Sequence, residues 1–146
     1  MTVFQNMIGH RINGIFLANY DSTLLVRTTA GKWFRYDTAN ECVNTVWITH
    51  ISGIDCLRGD NIFSLLRGAL VTGGEDKDWR DNNFDGGVWN VIKDGFYTLH
   101  TDHGYIDIEV RNSSVGYYGG SFAEYHNHDN INFLQLTDIR QITQDF

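Results

Sequence analysis

The stretch Tyr105–Arg111, with the sequence YIDIEVR, decides the fold class. Its apolar and polar residues alternate, which is the period of an antiparallel strand with one face on the core and one face in solvent. We therefore expect its three aliphatic residues to be buried. The residues expected on the opposite face are Tyr105, Asp107, Glu109 and Arg111.

Comparable patterns lie on both sides of this stretch and predict a mainly β chain, either all-β or α+β. We expect a single antiparallel-sheet domain over residues 1–146, with about seven or eight strands and one or two short helices. Asp60–Thr72 fits either a helical stripe or a buried strand. Asp94-Gly95 and Asp102-His103-Gly104 are typical of hairpin turns. The predicted strands are Arg11–Asn19, Thr23–Thr28, Trp33–Asp37, Val43–Ile51, Val88–Lys93, Phe96–Thr101 and Tyr105–Arg111.

The segment 73–87 interrupts the strand patterns and is rich in Gly, Asp and Asn. It predicts a long acidic loop, of a length at which loops are commonly functional or mobile. The segment does not fit a calcium-binding loop, because the sixth and twelfth positions counted from Asp76 are Asp81 and Gly87 instead of Gly and Glu. Its aromatic residues could anchor a protein partner. The candidate partner-binding residues are Glu75, Asp76, Asp78, Trp79, Asp81, Phe84 and Asp85.

The composition limits the kinds of partner. The chain has 146 residues, with 18 acidic and 11 basic side chains and a formal net charge of −7. This charge disfavours a broad surface for nucleic-acid backbones and suits a basic protein partner. No signal-peptide pattern and no apolar run of membrane-spanning length is seen, so we expect a cytoplasmic protein that does not interact with membranes. Edge strands and an aromatic content of 14% favour a homo-oligomer.

The glycine and tyrosine residues of 116–121 form the sharpest candidate for a small-ligand site. Glycines let consecutive N–H groups point at an anion, and tyrosine rings can stack on a base. Arg111 could pair with a phosphate. A tight or bulged turn between strands explains the same pattern. The candidate ligand-binding residues are Arg111, Tyr117, Tyr118, Gly119, Gly120 and Ser121.

The histidine clusters at 100–103 and 126–129 raise the question of a metal site. Neither cluster has a known ligand spacing, and Cys42 and Cys56 do not form a zinc pattern, so no metal is predicted. No phosphate-binding loop, nucleophile elbow or dinucleotide motif is present, and no cofactor and no catalytic residue is predicted.

Six short segments carry a resemblance to a known family. They are Glu41-Cys42-Val43, Val46-Trp47-Ile48, Leu57–Gly59 with Ile62, Tyr97–Thr101, Gly104–Val110 and Ser114–Ser121. Through them the second half of the chain resembles a family of small bacteriophage and prophage proteins that is classed as a domain of unknown function. The chain departs from that family at Val115, where the family has Asn, and in an expanded 73–87 segment. The resemblance implies an origin in a mobile element and a location in an infected bacterial host, and it brings no catalytic residue.

Three functional hypotheses remain open. The favoured one is a phage-encoded counter-defence protein that inhibits a bacterial immune system by non-catalytic, stoichiometric binding to a host effector protein. The first alternative is a protein that sequesters a nucleotide-derived immune signal in a pocket lined by Gly and Tyr. The second alternative is a small hydrolase that uses His100, His103 or the pair Asp107 and Glu109.

Overall fold

The computed structural model describes residues 1–39, 44–58, 62–81, 91–114, 121–125 and 131–146, and these contain a nine-stranded antiparallel sheet. The strand order is β4-β7-β6-β5-β1-β2-β3-β8, and β9 pairs with β1. The mainly β class is confirmed, with a strand number slightly above the predicted one. The strands are β1 (Arg11–Ala18), β2 (Thr23–Thr28), β3 (Trp33–Ala39), β4 (Asn44–Ser52), β5 (Ala69–Asp81), β6 (Val91–Thr101), β7 (Gly104–Ser114), β8 (Ser121–Glu124) and β9 (Arg140–Gln141).

Helices are few and short in the part of the chain that the structure describes. The α-helix α1 spans Ile62–Arg67, and Gly68, with a φ of 77°, separates it from β5. Glycine adopts this left-handed conformation without a steric penalty, so the chain can leave the helix and enter a strand at once. Residues 62–72 therefore hold both structures considered for Asp60–Thr72, a helix and then a strand, and residues 60–61 lie outside the described residues. Short 3₁₀ turns lie at Gln5–Met7, Ile54–Leu57 and Phe133–Gln135.

None of the helices within the described ranges has the length and apolar character that a membrane span requires.

The sheet curls until its two ends meet. The rings of Tyr97 on β6 and Phe122 on β8 have their centroids 4.8 Å apart, although four strands separate β6 from β8 in the sheet order. The Thr38 hydroxyl of β3, the strand next to the end strand β8, donates a hydrogen bond of 2.9 Å to the carbonyl oxygen of Val46 on β4, the other end strand. One face of the sheet consequently encloses the core, and the other faces outward.

The enclosed face is lined by alternate residues of nearly every strand, as strand geometry requires. Ile106, Ile108 and Val110 are almost completely buried, which confirms the pattern predicted for the deciding stretch. Beside them, Tyr36, Phe4 and Phe122 form a cluster of edge-on and stacked rings. The sheet and the N-terminal 3₁₀ turn therefore share one hydrophobic core.

The predicted loop 73–87 is wrong over residues 73–81, because these residues continue β5 and pair with β6. Gly74 pairs with Leu99 in this strand, and the N-terminal segment packs against it. A Cβ atom at Gly74 would lie 2.6 Å from the Thr2 hydroxyl. Residues 82–87 lie outside the described residues.

The predicted turn at Asp94-Gly95 is also wrong, because both residues lie inside β6. Asp94 is 6% exposed and accepts a hydrogen bond of 3.0 Å from Arg111 of β7, which satisfies its buried charge. Gly95 lies under the indole ring of Trp79 on β5. Contacts with neighbouring strands thus override the local turn preference of an Asp-Gly pair.

The outward face has two different halves. Over β1, β2 and β3, the C-terminal segment (residues 131–146) supplies Leu136, which packs in a second cluster with Ala18 and Leu25. Over β4, β7, β6 and β5, polar side chains remain exposed, and Tyr105 of β7 is 64% exposed. We call this second half the open face.

Candidate binding site

A depression of about 300 Å³ lies in the open face, across the four strands β4, β7, β6 and β5. Register shifts in β4 at Ile48/His50 and in β5 at Lys77/Arg80 change the direction of the flanking strands next to the depression. Its lining residues are His50, Ser52, Lys77, Phe96, Tyr97, Thr98, Asp107, Ile108 and Glu109.

One side of the depression is formed by carboxylates that contact His50 and Arg111. Glu109 of β7 lies opposite His50 of β4, and the His50 Nδ1 atom is 3.1 Å from the Glu109 Oε2 atom. The Arg111 guanidinium lies 3.8 Å from Glu109 and 3.0 Å from Asp94. These contacts hold the Glu109 and Asp94 carboxylates in place and leave them partly neutralised.

Asp107 differs from these two carboxylates. The Thr98 hydroxyl donates a hydrogen bond of 2.7 Å to its Oδ1 atom, and no cation of the described residues pairs with it. The ammonium group of Lys77, on the other side of the depression, likewise has no ion pair or hydrogen bond within the described part of the chain. The depression therefore offers one fixed carboxylate and one flexible ammonium group to a ligand.

Phe96 lies between these charged groups. Its cross-strand neighbours are Lys77 on β5 and Glu109 on β7. The Arg80 guanidinium carbon is 5.9 Å from the centre of the Phe96 ring, within the range of a cation–π contact. The ring thus gives the depression an apolar surface that attracts cations.

Sequence reasoning placed Asp107, Glu109 and Arg111 on one face, and the strand register agrees. It missed His50, Lys77 and Phe96 as members of the same site. The alternation of polar residues on each strand indicates which side chains share a face of that strand. Which strands lie side by side depends on contacts between residues far apart in sequence, and this single-sequence pattern did not contain that information.

The predicted ligand-binding residues are only partly placed. Arg111 lies on the open face, where Asp94 and Glu109 already engage its guanidinium. Ser121 is exposed on β8 and pairs with β3, at the other end of the strand order. Tyr117, Tyr118, Gly119 and Gly120 lie outside the described residues.

The predicted partner-binding acids lie along β5 with different neighbours and do not form one patch. Glu75 lies opposite Thr98 of the open face. Asp76 accepts hydrogen bonds of 2.7 Å from the Thr2 hydroxyl and from the Val3 N–H. Asp81 lies 3.8 Å from the Lys93 ammonium, and Asp78 is exposed beside the β5 register shift.

The predicted anchor Trp79 packs against the protein's own core. It is partly buried, and its indole N–H donates a hydrogen bond of 3.0 Å to the Tyr97 hydroxyl. Burial raises the pKa of Tyr97, and the hydrogen bond from Trp79 opposes that rise. The other two predicted residues, Phe84 and Asp85, lie outside the described part of the chain.

The histidines of the hydrolase hypothesis lie apart from the depression's lining. His100 packs against Tyr105, with ring centres 4.7 Å apart. His103 lies in the β6–β7 turn, where its Nδ1 atom is 3.1 Å from the carbonyl oxygen of Cys56.

Burial raises the pKa of the Cys56 thiol, which favours the less reactive protonated form. Among the described residues, no group of three or more His, Cys, Asp or Glu side chains could hold a metal ion.

Comparison with known protein families shows which family the chain matches. A family model described as "Domain of unknown function (DUF7448)" covers residues 5–123. No curated protein and no solved structure matches the chain.

Proposed function

The chain belongs to the DUF7448 family, whose description assigns no activity, and we propose a function from the geometry of its candidate site. The proposed function is non-catalytic binding of a basic group of a protein partner in the depression of the open face. The observation that carries this proposal is the Asp107 carboxylate, which Thr98 holds in place and which has no cationic partner within the described residues.

Electrostatics favours a cation over an anion at this position. Two charges about 4 Å apart near a protein surface interact by roughly 4 kcal/mol before desolvation is counted. An anion beside Asp107 and Glu109 would be repelled by an energy of that order, and Lys77 would offset part of it. The chain's net charge of −7 also attracts basic partners at longer range.

The size of the depression favours a single side chain. Pockets for drug-sized ligands have volumes of about 300–1,000 Å³. The depression, at about 300 Å³, lies at the lower limit of this range. A large nucleotide-derived signal would extend beyond it, whereas one basic side chain of a protein fits within it.

The biological setting that we propose is counter-defence in an infected bacterium. The protein would bind a host immune effector stoichiometrically and occupy a basic surface that the effector needs for its own ligand. The net charge and the exposed carboxylates support the basic character of such a partner surface.

Asp107→Asn tests the proposal directly, because Asn keeps an oxygen for the Thr98 hydroxyl and loses the charge. We expect labelled decapeptides of alternating glycine and basic residues to bind the wild-type protein, with anisotropy as the measurement. The variant should bind about fivefold more weakly, since a partly exposed charge pair contributes about 1 kcal/mol.

Asp138→Asn is the matched control. It removes the same charge from the C-terminal segment, and Asn tolerates the φ of 54° at that position. Equal affinities of the two variants would refute the proposed site. In bacteria that carry a defence system, wild-type protein and the control should restore phage plating, and Asp107→Asn should not.

Sequestration of a nucleotide-derived signal is the second candidate, and the Lys77 ammonium, which forms no ion pair with the described residues, favours it. Lys77→Met separates the two candidates. Loss of a repelling charge should leave the affinity for basic peptides unchanged or increase it, whereas loss of a phosphate partner should weaken nucleotide binding. Intact nucleotide released by heat from the purified protein, and absent from Lys77→Met, would support the second candidate over the first.

A further inference from the structure

We infer that the basic group is an arginine side chain, with its guanidinium paired to the Asp107 carboxylate and stacked on the Phe96 ring. This inference rests on the proposed function and specifies the partner's contact residue.

The carboxylate favours a guanidinium over an ammonium group. Thr98 donates to the Asp107 Oδ1 atom, which restrains the orientation of the carboxylate and leaves its second oxygen and further lone pairs available. A guanidinium presents two parallel N–H donors that match such a plane, whereas an ammonium group is a point charge without this match. A fixed carboxylate therefore selects arginine by geometry.

The ring strengthens this preference. A guanidinium is planar and weakly hydrated, so it stacks on an aromatic ring at a smaller desolvation cost than an ammonium group. Phe96 is partly buried and lines the depression beside Thr98. The partner's arginine would therefore contact an apolar surface and a carboxylate at once.

The charges around the ring determine where the guanidinium lies. The cations Lys77 and Arg80 are on the β5 side of Phe96, and the carboxylates Asp107 and Glu109 are on the β7 side. Neighbouring strands are about 4.8 Å apart, so the two sides are separated by about 10 Å. A guanidinium over the β7 side meets the carboxylates and avoids the resident cations.

Anisotropy titrations at low ionic strength with two labelled decapeptides test the inference, one alternating glycine with arginine and the other glycine with lysine. The wild-type protein should bind the arginine peptide about tenfold more tightly. Phe96→Leu should reduce this preference to about twofold. Phe16→Leu is the matched control, because Phe16 lies in the second cluster, on the other half of the outward face. It should keep the preference.

Two results distinguish the failure of the inference from the failure of the proposed function. Equal affinities for the two peptides, with both reduced by Asp107→Asn and unaffected by Asp138→Asn, would overturn the arginine inference and leave the basic-partner site in place. Equal effects of Asp107→Asn and Asp138→Asn on both peptides would overturn both.

Discussion

The two buried phenols Tyr36 and Tyr97 make the core sensitive to alkaline pH. Burial, and secondarily the charge of Glu124, raises the pKa of Tyr36 well above its usual value near 10. Burial is also the main cause of the raised pKa of Tyr97. Both phenols therefore stay protonated in the folded state at pH values where the unfolded chain ionises.

The sign of this linkage gives a prediction. Below pH 10 both states keep the phenolic protons, and the stabilisation is complete. Above about pH 10 only the unfolded state loses them, so the free energy of unfolding should fall by up to about 1.4 kcal/mol per pH unit for each such phenol. Urea unfolding at several pH values between about 9 and 11, roughly the window around the unfolded pKa, gives the free energy of unfolding as a function of pH. This free energy should fall with pH with a smaller slope for Tyr36→Phe than for the wild-type protein. An unchanged slope would contradict the assignment.

At the scale of strands, the contact between Gly95 and Trp79 explains why β6 runs without a turn. A Cβ atom at Gly95 would lie 2.5 Å from the Trp79 ring, which is too close for any side chain. Gly95→Ala should therefore force the indole to move and lower the free energy of unfolding by about 1–3 kcal/mol, as measured by denaturant titration.

Gly73→Ala is the matched control in β5. Its added Cβ atom would be 3.6 Å from the His100 Nδ1 atom, an ordinary contact distance. The control should change stability by less than about 1 kcal/mol. The cost of Gly95→Ala should shrink when Trp79 is first replaced by Leu, and an undiminished cost in that background would argue against the indole contact as its cause.

Sequence patterns predicted those strands that can be identified from the alternation of their own residues. In β7, alternation alone located Ile106 and Ile108 in the core, and β2 has its predicted bounds. The glycines of β5 and β6 could not be interpreted in this way. Gly74 and Gly95 resemble turn residues in sequence. In the structure, Gly74 leaves room for Thr2 and Phe4, and Gly95 leaves room for the Trp79 ring. The depression was unpredictable for the same reason, because its residues come from four strands that only the folded sheet brings together.

At the scale of the whole molecule, the C-terminal segment contributes to both hydrophobic clusters. Ile142 is 6% exposed and belongs to the main core, whereas Ile139 is 44% exposed. Ile142→Ala should lower the free energy of unfolding by about 2–4 kcal/mol because it leaves a cavity. Ile139→Ala should cost less than about 1 kcal/mol in the same titration. Similar costs would mean that the segment does not stabilise the sheet through its buried side.

The closure of the sheet has a consequence for aggregation. β4 is an end strand, and such strands commonly template the addition of a foreign chain. Here the Ile48 N–H donates to Asp21, and the carbonyl oxygen of Ile51 accepts from the Phe146 N–H. The Val46 carbonyl oxygen also accepts a hydrogen bond, from the Thr38 hydroxyl. These backbone groups of β4 are therefore not available for pairing with an incoming strand. Growth of fibrils or ribbon-like stacks from β4 would first require these internal bonds to break.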